Sequence, residues 1–287
     1  MDELSDFVKK VLAQAGIPNR VKDLERIGGG CINECLKIKL EDSEGLFLKW
    51  NNFSTSDMLE KERLSLELLN PHFKVPDTLA CGSIGQRHFL LSEFIGSKSP
   101  DKEFWEEFGK RLAYLHQHFG EAHGLHFDNY IGRLYQDNSI NSSWPTFFIQ
   151  NRLIPQIRLA ADLGLLNKND ISGFEDLFIK IKNILPELPP SLLHGDLWSG
   201  NFISGTKGCY LIDPAVYFGS REIEIAFTQL FGGFELRFYE AYESVFPLIS
   251  GFSERRDIYN LYPLLVHLNL FGATYLTPIR GILRKFR

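Results

Sequence analysis

Cysteine is scarce in this 287-residue sequence, and the few thiols are scattered along it. The four cysteines form no Cys-x-x-Cys pair and are too few for a disulfide framework, which excludes a small disulfide-stapled secreted domain. We therefore expect a protein of a reducing, cytoplasmic compartment. The four are Cys31, Cys35, Cys81 and Cys209.

Long apolar runs and an excess of positive charge are also missing. No run approaches the length that spans a bilayer, and the acidic amphipathic start at residues 1–12 lacks both the basic and the apolar region of a signal peptide. The formal net charge is −5. We therefore expect neither nucleic acid nor an anionic membrane as the main partner.

What the chain does contain is an ordinary globular composition, with 44% hydrophobic and 23% charged residues. Strand-like segments dominate up to residue 95, and helical patterns dominate from residue 96 onward. The sequence predicts an α+β protein with a small β-rich lobe at 1–95 and a larger, mainly helical lobe at 96–287. The strands are expected at 24–27, 35–40, 46–50, 78–81 and 88–92, and the longer helices at 57–69, 104–119, 146–163 and 171–185.

Residues 192–201 carry the densest chemistry, reading Leu-Leu-His-Gly-Asp-Leu-Trp-Ser-Gly-Asn, and Ile-Asp-Pro follows at 212–214. Asn201 and Asp213 offer the hard oxygen ligands that Mg²⁺ prefers. Asp196 can accept a proton from an attacking hydroxyl. Two short strands predicted at 202–204 and 209–212 carry Asn201 and Asp213 to the same end of a hairpin. The spacing therefore indicates a phosphoryl-transfer site.

A glycine triplet near the start of the chain is a second candidate feature. Gly28, Gly29 and Gly30 fall at a predicted hairpin tip, where backbone N–H groups can face phosphates. Cys31 and Ile32 continue this loop. An exposed thiol there can also serve as a redox switch, or it is merely tolerated; both readings stay open.

Lys49 is an isolated cation in an apolar strand, where burial without an anion is costly. We expect Glu62, in the helix predicted at 57–69, to be its partner, with Glu60 as the alternative. The segment that leaves the small lobe is expected to offer backbone groups to the purine edge of a nucleotide. It consists of Glu93, Phe94 and Ile95.

These motifs together resemble one family. Gly-Gly-Gly-Cys-Ile-Asn, the strand lysine, His-Gly-Asp-Leu-Trp-Ser-Gly-Asn and Ile-Asp-Pro-Ala-x-Tyr-Phe-Gly-x-Arg-Glu are similar to the fructosamine kinase (ketosamine-3-kinase) family. That family is related to aminoglycoside phosphotransferases and has a protein-kinase-like fold. The likeness covers nearly the whole chain and includes Asp-Asn-Tyr-Ile-Gly at 128–132 and His-Leu-Asn-Leu-Phe-Gly at 267–272.

The resemblance implies a role for each matching residue. Lys49 would hold the ATP phosphates, Glu62 would hold Lys49, and Asp196 would be the base. Asn201 and Asp213 would be the Mg²⁺ ligands. The γ-phosphate of ATP would pass to the 3-hydroxyl of a ketosamine, such as fructosamine or ribulosamine on lysine, and the adduct would then break down, which is deglycation.

The same resemblance places Trp198, Asp128 and His267 on the acceptor side. The ring of Trp198 can pack on a sugar face or serve only as core. The chain departs from the family pattern at Glu224, where relatives have Asp, and at residues 133–136, where relatives often have Thr-Pro-Gln.

Other functions fit the same residues. The acceptor can be a different hydroxyl compound, such as an aminoglycoside or an amino alcohol, or the chain can be a nucleotide-binding pseudokinase. A monomer and a redox-dependent dimer both stay open as oligomeric states. The presence of all four predicted phosphoryl-transfer residues favours an active kinase over a pseudokinase.

Overall fold

A computed structural model describes residues 3–18, 20–28, 33–41, 45–52 and 57–286, and it divides into two compact units. Unit 1 comprises Met1–Pro100 and Phe202–Pro214, and unit 2 comprises Asp101–Asn201 and Ala215–Arg287. The sequence-based division ended the first lobe at residue 95 and kept residues 202–214 with the second. In the structure, compactness groups those residues with unit 1.

Helices and strands follow the expected order, with a β-rich first part and a helical second part, so the predicted fold class is confirmed. The first elements are α1 Glu3–Gln14, β1 Val21–Arg26, β2 Glu34–Leu40, β3 Leu46–Asn51, α2 Met58–Leu69, β4 Thr78–Ile84, β5 Arg87–Glu93, α3 Lys102–Leu115, β6 Asn129–Ile131, β7 Leu134–Gln136 and α4 Trp144–Phe147. A π-helix Phe148–Leu153 then leads to α5 Ile154–Asp162, α6 Lys168–Ile184, β8 Ser191–Leu193, β9 Phe202–Gly205, β10 Gly208–Leu211, β11 Tyr217–Gly219, α7 Arg221–Leu230, α8 Leu236–Val245, α9 Phe252–Phe271, a 3₁₀ turn Ala273–Tyr275 and α10 Leu276–Lys285.

Unit 1 is built on a five-stranded antiparallel sheet with the strand order β1-β2-β3-β5-β4. Because β3 is central, nearly all of its side chains are buried, including Leu48 and Trp50. Helix α1 covers the sheet with an apolar stripe that includes Phe7 and Val11. The register places Lys49 of β3 opposite Cys35 of β2 and Leu90 of β5, well inside the sheet.

The β9–β10 hairpin is attached to the rest of unit 1 by backbone hydrogen bonds. Its strands pair with Leu211 opposite Phe202, as the sequence predicted. The N–H of Lys98 donates to the carbonyl of Ser204 at 2.7 Å, and the N–H of Leu211 donates to the carbonyl of Lys74 at 2.9 Å. These contacts fix the strand that leads directly to Asp213.

Unit 2 is mainly helical, and its helices pack through aromatic faces. Helix α3 buries Phe104, Phe108 and Leu112 at helical spacing. Gly109 allows α8 to approach closely, because a Cβ there would lie 2.2 Å from the carbonyl oxygen of Phe238. Two predicted helices differ in detail: α3 ends at Leu115 rather than at 119, and the helix expected at 146–163 contains the π-helix.

Short strands in unit 2 hold the loop that contains Asp196. Strand β8 pairs with β11, with Leu193 opposite Tyr217. Beyond this pair, the N–H of Ala215 donates to the carbonyl of His194 at 2.9 Å. Gly195 has a φ of 86°, and a Cβ there would lie 2.0 Å from the Ala215 oxygen, so only glycine fits this turn.

Among the residues that the structure describes, we find no helix with the length and apolarity needed to cross a bilayer.

Candidate active site

Lys49 in β3 is the centre of a charged cluster in unit 1. The residue is only 4% exposed, and its Nζ lies 2.6 Å from Glu62 Oε1 and 2.6 Å from Asp213 Oδ1. The ion pair expected with Glu62 is therefore present. The alternative partner Glu60 instead accepts hydrogen bonds from Arg63. Burial of a lysine in the sheet is thus compensated by two carboxylates.

The electrostatics of this cluster follow from its burial and its excess of negative charge. Burial opposes the charged form of Lys49, but Asp213 and Glu62 outweigh it and raise the pKa of Lys49. Burial raises the pKa of Glu62, with a further contribution from Asp213, while Lys49 opposes the rise. The Asp213 side chain is 49% exposed, so one carboxylate of the cluster is open to solvent.

Asp213 also has an unusual backbone. Its φ is 55°, which makes it the single non-glycine residue with positive φ in the part of the chain that the structure describes. A left-handed conformation is uncommon for residues other than glycine, although Asp tolerates it better than most. Such conformations concentrate at functional sites, where neighbouring contacts hold them.

Asp196 and Asn201 form a second group, in unit 2. The side-chain amide of Asn201 donates to the Asp196 carbonyl at 2.8 Å and to Asp196 Oδ2 at 2.9 Å. Because both donors of the amide face Asp196, its Oδ1 is the atom left for a cation. The N–H of Asp196 donates to His194 Nδ1 at 3.3 Å, so this histidine helps to hold the loop.

Glu224 supports the Asp196 loop from beneath. Its Oε1 accepts from the N–H of Gly195 at 2.8 Å, and its Oε2 accepts from the N–H of His194 at 3.2 Å. His116 Nε2 lies 3.1 Å from the same Oε2, and His116 Nδ1 lies 2.8 Å from the hydroxyl of Tyr242. Burial alone would raise the pKa of Glu224, but the hydrogen bonds, led by that of His116, lower it overall.

The predicted metal ligands suit Mg²⁺ in their chemistry. Asn201 offers an amide oxygen and Asp213 a half-exposed carboxylate, both hard donors. Within the described ranges, no group of three or more His, Cys, Asp or Glu side chains is arranged to hold a metal on its own. Donors of this kind fit an ion that completes its coordination with water and substrate phosphates.

The glycine loop is described only at its start. Gly28 lies two residues after the end of β1 and is exposed. Gly29, Gly30, Cys31 and Ile32 lie outside the described residues, so their roles in binding phosphate or in redox control remain predictions.

The segment predicted to meet the purine already uses two of its N–H groups. The N–H of Glu93 donates to the Asp77 carbonyl at 3.0 Å, and the N–H of Phe94 donates to the Gly45 carbonyl at 3.3 Å. A purine contact in this segment would therefore have to use a carbonyl or the N–H of Ile95.

Trp198 lies on the surface of unit 2, with 37% of the residue exposed. Its indole lies over Gly200, where a Cβ would be 2.3 Å from the ring. Ser199 is held against Gly233, where a Cβ would be 2.5 Å from the serine side chain. Gly200 thus leaves room for the indole, and the exposure of Trp198 disfavours the purely core role left open by the sequence.

His267 is surrounded by aromatic rings. Its Nδ1 lies 2.7 Å from the carbonyl oxygen of Pro263, so Nδ1 carries the proton and Nε2 is an acceptor. Burial lowers the pKa of His267, which favours the neutral ring. The ring centroids of Phe231, Tyr275 and Phe271 lie 4.7, 5.1 and 5.5 Å away, and Phe231 and Phe271 are exposed.

Asp128 has a different environment from the other two predicted acceptor residues. Its Oδ1 accepts from the N–H of Asn138 at 2.8 Å, and its Oδ2 accepts from the Tyr135 hydroxyl. The latter hydrogen bond raises the pKa of Tyr135 to about 12. Both carboxylate oxygens thus stabilise the β6–β7 region, and a contact of Asp128 with substrate remains a prediction.

Arg152 is a buried residue whose structural role was not predicted from the sequence. It lies in the π-helix with no exposed surface, and its guanidinium stacks 4.0 Å from the ring of Tyr217. Its NH1 donates to the Asp137 carbonyl and its NH2 to Asn138 Oδ1, both at 2.7 Å. The local sequence carries little signal, because the polar Gln150 and Asn151 precede Arg152 and a second cation, Arg158, follows.

Known proteins are similar to this chain over nearly its full length. The sequence model of the fructosamine kinase family matches residues 4–287. A probable ketoamine kinase of Vibrio parahaemolyticus is 39% identical over 274 residues, which cover 93% of each chain. A crystal structure assigned as a fructosamine-3-kinase from Thermobifida fusca has a TM-score of 0.88 at 32% identity and covers 98% of both chains.

A more distant neighbour shares the fold alone. It is an aminoglycoside phosphotransferase in a ternary complex with ADP and hygromycin B, with a TM-score of 0.68 at 14% identity over 96% of this chain and 97% of that one. The family resemblance inferred from the motifs is confirmed by the match over nearly the full length. The chain belongs to the fructosamine kinase family.

Proposed function

We propose that this protein transfers the γ-phosphate of ATP to the 3-hydroxyl of a ketosamine, with deglycation as the consequence. The observation that carries the proposal is the buried Lys49, held at 2.6 Å by both Glu62 and Asp213. A sheet interior accommodates this cation only with anionic partners, and a triphosphate would replace Asp213 as a partner when that carboxylate turns to the metal. Unit 1 is then the nucleotide-binding part, and unit 2 the catalytic and acceptor-binding part.

Three residues would bind the phosphates and the metal in this reaction. Lys49 would contact the phosphate oxygens, and Asn201 and Asp213 would hold Mg²⁺. When bound, the ion neutralises the charge that develops on the transferring phosphoryl group. Because Asp213 is half exposed, its carboxylate can leave Lys49 for the metal without being drawn from a closed core.

Asp196 would accept the proton of the attacking hydroxyl. The amide of Asn201 donates to Oδ2 of this carboxylate, which orients the group that would accept the proton. The support from Glu224 fixes the loop backbone, which limits the ways in which Asp196 can turn. The reaction requires Asp196 to act on the hydroxyl that attacks the phosphoryl group bound by Lys49 and the metal.

Trp198 and His267 would receive the acceptor. The exposed indole of Trp198 offers a flat apolar surface to the C–H face of a sugar. His267 Nε2 can accept from a sugar hydroxyl or from the secondary ammonium that distinguishes a ketosamine from a free sugar. The surrounding aromatic rings suit a positively charged amine.

An acceptor panel tests the proposal. The purified chain is incubated with Mg²⁺ and ATP labelled at the γ-phosphate, and with fructoselysine, ribuloselysine, free fructose, an aminoglycoside or an amino alcohol. We expect label on the ketosamines at the 3-position, followed by release of free lysine. Exclusive labelling of the aminoglycoside or the amino alcohol would show that the substrate belongs to that class and is not a ketosamine. Nucleotide binding without transfer to any acceptor would indicate a pseudokinase.

A further inference from the structure

A buried cluster of side-chain amides lies in unit 2, outside the residues that the proposed reaction uses. We call Asn129, Gln136 and Asn138 the amide cluster; their exposed fractions are 1%, 2% and 0%. Polar groups buried this deeply are costly unless every hydrogen bond is made. Asn129 and Gln136 lie on the β6–β7 hairpin, and Asn138 follows it.

Gln136 is the central member of the cluster. Its Nε2 donates to Asn129 Oδ1 at 2.7 Å and to the Ala215 carbonyl at 3.1 Å. Its Oε1 accepts from the Tyr262 hydroxyl at 2.6 Å. Asn129 Nδ2 in turn donates to the Val216 carbonyl at 2.8 Å. The cluster therefore holds two consecutive carbonyls in the segment that follows Asp213 and Pro214.

Ala215 is where this support meets the Asp196 loop. Its N–H donates to the His194 carbonyl at 2.9 Å, and its carbonyl packs directly on Gly195. The same residue is two positions after Asp213, the non-glycine residue with a φ of 55°. One backbone unit thus connects Gln136 to the loop of the candidate base and to the chain that carries a candidate metal ligand.

Tyr262 fixes the direction of the Gln136 amide. A phenol hydroxyl in this position donates to Oε1, which leaves Nε2 turned toward Ala215. Burial raises the pKa of Tyr262, so the hydroxyl stays protonated and remains a donor. Without it, the amide could turn over and place an oxygen against the Ala215 carbonyl.

We propose that Gln136 is a positioning residue of the kinase reaction, acting through Ala215 on the placement of Asp196 and Asp213. The inference rests on the proposed function for its effect on turnover. Loss of the two donors would leave the Ala215 carbonyl buried and unpaired, and the segment would shift to regain a partner. Shifts of about 1 Å at reacting groups lower rates by up to about a hundredfold.

The test compares Gln136→Met with Gln156→Met. Methionine has nearly the length of glutamine but no donor. Gln156 is buried and paired with Asn269 at 2.8 Å on α5 and α9, and no hydrogen bond described for it reaches residues 215–216. We expect Gln136→Met to lower kcat by about tenfold or more, with KM for the acceptor unchanged, and to raise the Mg²⁺ concentration needed for half-maximal rate. Gln156→Met is expected to lower Tm while kcat stays within about twofold.

A second readout needs no substrate. Amide hydrogen exchange of peptides covering 192–197 and 211–217 is expected to accelerate in Gln136→Met and to stay as in the wild type in Gln156→Met. Tyr262→Phe is the milder variant if Gln136→Met does not fold, with an expected loss in kcat of about threefold.

Equal kcat in the wild type, Gln136→Met and Tyr262→Phe would overturn the positioning role, as would an equal loss in Gln156→Met. Unchanged exchange in Gln136→Met would overturn it whatever the acceptor is. Failure of the wild type to phosphorylate any ketosamine contradicts the proposed function instead, and the exchange measurement still shows whether Gln136 holds the segment.

Discussion

The two units hold their candidate carboxylates by different physical means. In unit 1, Glu62 and Asp213 are held by direct charge pairing with the buried ammonium of Lys49. In unit 2, Asp196 is held by a neutral amide, and its loop rests on backbone N–H groups that donate to Glu224. Charge pairing thus holds the carboxylates of unit 1, and hydrogen bonds hold the carboxylate of Asp196 and its loop in unit 2.

The difference suits the work proposed for each unit. Phosphates and Mg²⁺ bring charge, so a cluster that is itself charged can exchange partners when they arrive. A base must instead keep one orientation, which directional hydrogen bonds to an amide and the backbone achieve without a neutralising cation. The variants below test this contrast, and the largest expected effect comes first.

Asp196→Asn tests the base directly. The amide can keep a hydrogen bond to Asn201 but cannot accept the hydroxyl proton, so we expect turnover to fall by about 10²–10⁴ while ADP affinity stays unchanged. Steady-state kinetics measure the turnover, and calorimetric titration measures the affinity for ADP. Asp176→Asn, an exposed carboxylate on α6, is the matched control. Turnover within a few-fold of the wild type would reject Asp196 as the base.

Lys49→Met tests the charge-paired cluster. It leaves two carboxylates without their cation, and breaking a buried pair in this way costs about 3 kcal/mol, so we expect a lower free energy of unfolding and weak ATP binding. Denaturant titration measures the free energy of unfolding, and nucleotide titration measures the affinity for ATP. Adding Glu62→Gln removes one of the stranded charges and is expected to restore part of the stability but none of the ATP affinity. Full ATP affinity in Lys49→Met would contradict the proposed phosphate contact.

Glu224→Gln tests the hydrogen-bonded support. An amide would turn its NH2 toward one of the two N–H groups, that of His194 or that of Gly195, so we expect a loss of about 2 kcal/mol in stability and about tenfold in kcat. The exposed Glu175→Gln serves as the control. A variant with unchanged kcat would show that the loop keeps its place without this carboxylate.

The pH dependence of stability gives a separate reading of Glu224. Because folding lowers the pKa of this group below its ordinary value of 4.5, its contribution is complete above pH 4.5 and is lost as pH falls through the lowered folded pKa. Glu224→Gln removes the titration, so the gap in unfolding free energy between wild type and variant should narrow below pH 4.5. Denaturant titrations at pH 7 and at about pH 3.5 measure that gap, and a constant gap would contradict the assignment.

The sequence was informative where a residue had to satisfy a local physical demand. Lys49 in an apolar strand required an anion, and a glutamate on the next helix could supply it, so this pair was predictable. The role of Asp213 as a second partner of Lys49 could not be predicted. The two residues are 164 positions apart in the chain, and nothing in the sequence pattern shows that they meet in space.

The buried supports escaped prediction for the same reason. His116 resembles an ordinary packing residue at the end of a helix, and Gln136 is the last residue of a three-residue strand that carries almost no periodic signal. Their partners, Glu224 and Ala215, lie 108 and 79 positions away. Single amides and imidazoles show their function only when the fold brings those partners together.

Trp198→Leu carries the smallest expected effect, and it tests the acceptor surface alone. Loss of the exposed ring should raise KM for a ketosamine about fivefold, near the 1 kcal/mol typical of an aromatic contact, with KM for ATP unchanged. Trp198→Phe should recover part of the affinity, and Phe119→Leu, another exposed ring of unit 2, should behave as the wild type. A rise in KM for ATP by the same factor would mean that Trp198 acts on the loop of Asp196 rather than on the sugar. Because the exposed ring lies over Gly200, we expect it to contact the sugar through its flat face. The rise in KM should therefore be greater for Trp198→Leu, which has no ring, than for Trp198→Phe.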